Sequence, residues 1–237
     1  MMKPFLHGTA PLKKSESLPA SLLTKPIWSS FLDTEIHNNM PSLTDLLTAD
    51  QASLKQALLE HIATDAYKEG DFTLSSGQKS TYYINGKLVT LTAEGALLIG
   101  RLILSQLDQD VAAVAGLTLG ADPIVSAVSV VSAYENRPIP ALIIRKQAKG
   151  HGTQAYIEGP VLPAGAKVVV LEDVVTTGKS AAQAVERLQA AGYEVSEIIA
   201  LVDRQQGGAE FYASQNLKFS SLFTIKDVQA AYRALQR

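Results

Sequence analysis

Two adjacent acids, Glu172 and Asp173, close the apolar run KVVVLE and precede a small, hydroxyl-rich turn: Val174, Val175, Thr176, Thr177, Gly178, Lys179 and Ser180. The last three residues have the ending of a nucleotide-binding P-loop, Gly-x-x-x-x-Gly-Lys-Ser/Thr, but counting back from Gly178 puts Asp173 where the first glycine belongs. A carboxylate there would face the phosphate it should cradle, so a P-loop is excluded. Strand, small-residue turn and helix start still make an anion nest. Amides from Val174 to Gly178, the hydroxyls of Thr176 and Thr177, and the positive end of the helix dipole suit one phosphate monoester. The acids cannot bind that phosphate. They suit the vicinal hydroxyls of a sugar, or a divalent cation. A phosphorylated ribose satisfies both halves; the plainer alternative is a capped turn beside two solvated acids.

The order apolar strand, Glu-Asp, two apolar residues, Thr-Thr-Gly resembles the phosphoribosyl pyrophosphate loop of the type I phosphoribosyltransferases. Other stretches narrow the resemblance to the orotate branch. Arg145-Lys146-Gln147-Ala148-Lys149-Gly150-His151-Gly152 is similar to its basic catalytic loop, and four basic or protonatable groups in seven residues suit a multiply charged leaving group. Phe72-Thr73-Leu74-Ser75-Ser76-Gly77 resembles its N-terminal hood over the base, although Ser75 stands where many members carry a lysine; Lys79 and Lys87 are stand-ins. Ala115 to Pro123 is similar to the pyrophosphate loop, with Gly120 replacing a lysine found in some members. Asp203-Arg204-Gln205-Gln206-Gly207 matches the Asp-Arg-x-x-Gly strand end. Each has a plain structural reading as well: a solvated basic loop, a hairpin with Tyr82 and Tyr83 in the core, a strand-to-helix turn, and a salt bridge from Arg204 to Asp203.

The resemblance implies transfer of a 5-phosphoribosyl group from phosphoribosyl pyrophosphate to orotate, giving orotidine 5′-monophosphate and pyrophosphate in pyrimidine synthesis, with Mg²⁺ held mainly by substrate and water. It assigns phosphoribosyl pyrophosphate to Arg145, Lys146, Lys149, His151, Glu172, Asp173 and the turn Val174 to Ser180. Orotate falls to Thr176, Arg204, Tyr82 and Tyr83. Lys146, Lys149, His151 and Asp173 are the catalytic candidates, with Lys149 or His151 as proton donor. A homodimer with shared active sites is implied. Rival readings are a phosphoribosyltransferase for another nucleobase and a non-catalytic sensor of the same donor.

These groups need a frame to hold them. At 237 residues, 46% hydrophobic and net charge -2, the chain has the size and composition of one soluble α/β domain, with no basic excess to suggest nucleic acid. It has no cysteine, which excludes a thiol nucleophile and fits a reducing compartment, so a cytoplasmic protein is expected. No apolar run reaches the ~18–20 residues of a membrane span. Residues 1–40, rich in Pro, Ser and Lys, read as a disordered or loosely docked extension rather than a targeting signal, with Met40 an alternative start.

Residues 41–237 read as the folded domain, with the hood formed by about 41–90 and the segment after 204. Ser42 or Asp50 should cap a helix running to Gly70, and Thr92 another; then VAAVAG, IPALIIR, KVVVLE and EIIALVDR alternate with helices, the last starting near Thr224. That alternation predicts a mostly parallel sheet flanked by helices; the resemblance implies the type I phosphoribosyltransferase fold, with a small hood subdomain beside that sheet. The loops after Gly116, Arg145, Glu172 and Arg204 should converge beyond the strand carboxyl ends.

Overall fold

A computed structural model describes residues 43–73, 79–149 and 156–237. The chain divides into two units, Met1–Met40 and Pro41–Arg237, and every element below belongs to the second. After α1 (Leu43–Thr48), Asp50 caps α2 (Gln51–His61), its carboxylate accepting from Ser53 N at 2.7 Å. The helical region ends earlier than expected. A π-helical turn, Ile62–Ala66, closes it, and Tyr67 already starts β1 (Tyr67–Thr73), which contains Gly70. The cause is tertiary: Tyr67 is buried and stacked on Tyr82, and β1 pairs antiparallel with β2 (Lys79–Ile84). After β2 the chain coils into α3 (Lys87–Thr90).

Thr92 caps α4 (Ala93–Leu104) by accepting from Gly95 N at 3.0 Å. Strands and helices then alternate: β3 (Ala113–Leu117), α5 (Asp122–Tyr134), β4 (Ala141–Ile144), β5 (Ile157–Glu158), β6 (Lys167–Val175), α6 (Lys179–Ala190), β7 (Glu194–Asp203), α7 (Gly208–Ser214), β8 (Lys218–Thr224) and α8 (Ile225–Leu235). The strand order β5-β4-β3-β6-β7-β8 is parallel except for the antiparallel edge pair β4–β5. Period-two alternation splits the strands between two cores. Val169 and Leu171 of β6 join Ile199 and Leu201 of β7 in one, with α2, α4 and α5; Val168 and Val170 join Ile198 and Ala200 in the other, with α6. Each fully buried aliphatic side chain contributes about 1.5–3 kcal/mol, so both helix layers are held firmly.

This order has one switch point. From β3 the chain builds outward to β4 and β5, then returns to the other side of β3 as β6 and builds outward again. Loops leaving β3 and β6 therefore diverge, and the crevice beyond their carboxyl ends is where ligands bind in open parallel sheets. One expectation needs correction. The acids do not end their strand, because β7 runs alongside as far as Asp203 and pairs with Val174 and Val175, carrying β6 past Glu172 and Asp173.

Candidate active site

Gly178 has φ +82°, the left-handed conformation that glycine adopts without a steric penalty, and it turns the chain from β6 into α6. A side chain there would also strike the ring of Tyr212, whose carbons lie 2.9 Å from where a Cβ would stand. No side chain caps α6, and its first turn has no acid and carries Lys179 instead. A cation at a helix start opposes the dipole unless an anion sits between them. A cavity of about 80 Å³ is bounded there by Glu172, Val174 to Ser180 and Tyr212, room for one phosphate group and too small for a nucleotide.

The two acids have different surroundings. Glu172 is buried and its Oε2 has no hydrogen-bond partner. Burial, reinforced by the charge of Asp173, pushes the Glu172 carboxyl well above the usual carboxylate range, and Lys146 opposes the shift. Asp173 is only partly buried and accepts from Val174 N at 2.9 Å. Its carboxylate lies against Gly120 in the loop after β3: a Cβ on Gly120 would stand 2.6 Å from Asp173 Oδ1. Backbone therefore approaches the acid closely at this position.

Arg204 is buried, and its amide donates to Val175 O at 2.9 Å, fixing it beside the phosphate turn. The plainer reading of a salt bridge to Asp203 fails. Among the described residues no carboxylate lies within ion-pairing distance of Arg204; its Nε donates to the Tyr82 hydroxyl at 3.1 Å, and Asp203 Oδ1 accepts from Gln205 N. Tyr83 is not brought to the same place. Strand alternation sends it to the other face of β2, exposed and 5.6 Å from the Phe72 ring. Lys79 does arrive: with Thr176, Thr177 and Gln206 it lines a second cleft of about 440 Å³, while its Nζ donates to Thr73 Oγ1 at 2.8 Å.

In the basic loop, Lys146 and Lys149 are exposed, whereas the Arg145 side chain is engaged by Glu158 at 2.9 Å. His151, Gly150 and Ser75 lie outside the described residues. Tyr212 was not legible in the sequence. It is fully buried, lines the cavity of about 80 Å³, has an unpartnered hydroxyl, and has its ionisation pushed up by burial and by the charges of Glu172 and Asp203. It sits in α7, a short helix with no motif of its own, so no local signal pointed to it. Among the described residues no group of three or more His, Cys, Asp or Glu is arranged to hold a metal, and no helix is long and apolar enough to cross a membrane.

No family model matches the chain. It is 72% identical over 188 residues to the orotate phosphoribosyltransferase of Nostoc sp. (strain PCC 7120), covering 79% of this chain and 91% of that protein. Two crystal structures of the orotate phosphoribosyltransferase of Mycobacterium tuberculosis H37Rv share its fold. The complex with Fe(III) dicitrate is 39% identical, covers 74% of this chain and 98% of that one, and has a TM-score of 0.67. The complex with 5-phospho-alpha-D-ribosyl 1-diphosphate (PRPP) is 34% identical, covers 76% and 99%, and has a TM-score of 0.60. The sheet with its switch-point anion turn is thus a type I phosphoribosyltransferase fold, and the chain belongs to the orotate phosphoribosyltransferase family.

Proposed function

We propose that this protein transfers the 5-phosphoribosyl group from PRPP to orotate, giving orotidine 5′-monophosphate and pyrophosphate, the transferase step of pyrimidine synthesis. The observation that carries the reading is the one-phosphate cavity at the head of α6, with Glu172 in its wall and Asp173 beside it. The 5′-phosphate sits against the amides of the turn, the hydroxyls of Thr176 and Thr177, and Gly178 to Ser180. Glu172 and Asp173 take the ribose hydroxyls. The unpartnered Glu172 Oε2 supports this, because a buried oxygen without a hydrogen bond is satisfied by a ligand hydroxyl. Arg204 takes the orotate carboxylate with its planar fork, and Tyr82 orients it.

Displacement at the anomeric carbon leaves positive charge on the ribose and negative charge on the departing pyrophosphate. Stabilising both is an electrostatic task with no covalent nucleophile. Lys146, Lys149 and His151 face the pyrophosphate, with Lys149 or His151 as proton donor. Arg145 joins them only on release from Glu158. Lys79 serves where Ser75 leaves the hood without its usual lysine, an assignment supported by its place in the cleft with Thr176 and Thr177.

A divalent cation would be held mainly by substrate oxygens and its own waters, with the partly buried Asp173 able to reach it through water. When bound, Mg²⁺ would neutralise charge on the pyrophosphate. The catalytic domain is assigned to residues 41–237, with the hood from about 41–90 and the segment after 204. A homodimer is proposed through the groove of about 780 Å³ between α1, α4 and α5. It is lined by exposed Leu47, Leu91, Val130 and Tyr134, an apolar surface that a second copy would cover. Orotate absorbance on adding PRPP and Mg²⁺ is the test. Its loss with release of pyrophosphate supports the reading, and a flat trace with orotate, against turnover of adenine, guanine or uracil, overturns it.

A further inference from the structure

Helix α6 touches the site at both ends. Its first turn borders the phosphate cavity; eight residues on, about 12 Å along the axis, Arg187 reaches the root of the basic loop. Its Nη1 donates to the carbonyl oxygen of Arg145, and its Nη2 donates to that of Lys146 at 3.0 Å. The guanidinium carbon lies 4.2 Å from the ring centroid of Tyr156. Arg145 N in turn donates to Tyr156 O at 2.8 Å, so the strand that enters this loop and the strand that leaves it meet under one side chain. A lysine lacks the flat, forked geometry that does this. Only a planar fork serves two successive carbonyls while its face stacks on an aromatic ring.

We propose that Arg187 is a positioning residue for Lys146: it fixes the backbone of Arg145 and Lys146 to the same rigid helix that carries the phosphate turn. The separation between the monoester site and the pyrophosphate-facing ammonium is then set by α6, not by the loop. This rests on the assignment of Lys146 to the pyrophosphate in the reading above. Arg187 acts through the backbone of Arg145 and Lys146. It is 42 residues from Arg145 in sequence, and its type and place in the last turn of α6 look like ordinary pairing of a cation with a helix end. What the geometry fixes is the backbone that carries Lys146, held by Arg187 through two successive carbonyls and by the Arg145–Tyr156 hydrogen bond.

The test is a double-mutant cycle with Arg187→Ala and Lys146→Ala, read as kcat and KM for PRPP, beside calorimetric binding of ribose 5-phosphate. Arg187→Ala should lower kcat by ~10- to 100-fold, the scale of a misplacement of about 1 Å, and leave ribose 5-phosphate binding unchanged. In the Lys146→Ala background the same change should cost little more, because one interaction has already been removed. Arg187→Lys keeps the stem and charge, guards against a failure to fold, and should be as slow as Arg187→Ala. Equal losses in both backgrounds, or full activity of Arg187→Lys, overturn the proposal while wild-type turnover leaves the functional reading intact. Absence of wild-type turnover overturns both.

Discussion

Arg204 and Tyr82, 122 residues apart in sequence, are joined by a hydrogen bond of 3.1 Å from Nε to the phenol oxygen, with the guanidinium carbon 4.9 Å from the ring centroid. The contact ties the two-stranded hairpin to the end of β7, beside the phosphate turn. Arg204→Lys keeps the charge but loses the fork. It should raise KM for orotate ~10- to 100-fold, equivalent to about 1.4–2.8 kcal/mol, and leave ribose 5-phosphate affinity unchanged. Tyr82→Phe removes only the hydroxyl and should cost about 1 kcal/mol in the same parameter. Steady-state kinetics with each substrate varied in turn checks both.

Glu172 is expected to trade stability for binding. Its carboxyl ionises in the unfolded chain within the usual carboxylate range but is held well above it in the fold by burial and by Asp173. Below that range both states are protonated and nothing is lost. As pH rises through it and on to the raised value, only the unfolded chain ionises freely, so the ligand-free protein loses stability with increasing pH. Glu172→Gln should remove that slope. At neutral pH it should stabilise the ligand-free fold by on the order of 1–3 kcal/mol, read by thermal unfolding from acid to neutral pH, while weakening ribose 5-phosphate binding.

Gly120 should not accept a methyl group. A Cβ there would meet the Asp173 carboxylate at 2.6–2.7 Å, too close for any real contact, so the acid must turn away. Gly120→Ala should raise KM for PRPP by an amount similar to Asp173→Ala. The two changes combined should cost much less than their sum.

Lys149→Ala should depress kcat far more than it weakens ribose 5-phosphate binding, because its interaction develops with charge on the departing pyrophosphate. If active sites are shared across a dimer, mixing Lys149→Ala with Asp173→Ala should restore part of the activity. No recovery on mixing, with hybrid dimers verified, would leave each site within one chain.

What was legible in the sequence is what is contiguous along it. The phosphate turn needs Val174 to Ser180 in order, and the strand-helix alternation needs only local periods of two and 3.6 residues, so both could be read directly. Partnerships made across the fold could not. The resemblance placed Tyr82 and Arg204 at one site, though not their hydrogen bond, and nothing local ties Arg187 to the loop root or Tyr212 to the ring contact under Gly178. The helix end expected at Gly70 was overridden by the buried stack of Tyr67 on Tyr82, a tertiary contact. β8 and α7 passed unseen because KFSSLFT carries two serines at its centre and α7 is only 7 residues long. The pair Glu172 and Asp173 reads as two equivalent acids, but adjacent strand positions point to opposite faces, so one is buried and the other meets Gly120.

Diffraction from crystals soaked in ribose 5-phosphate tests the central claim most directly. The phosphate should lie against the amides of Thr176 to Ser180, with ribose hydroxyls within hydrogen-bond distance of Glu172 and Asp173. A fully occupied sugar phosphate bound elsewhere, with that turn holding only solvent, would contradict it.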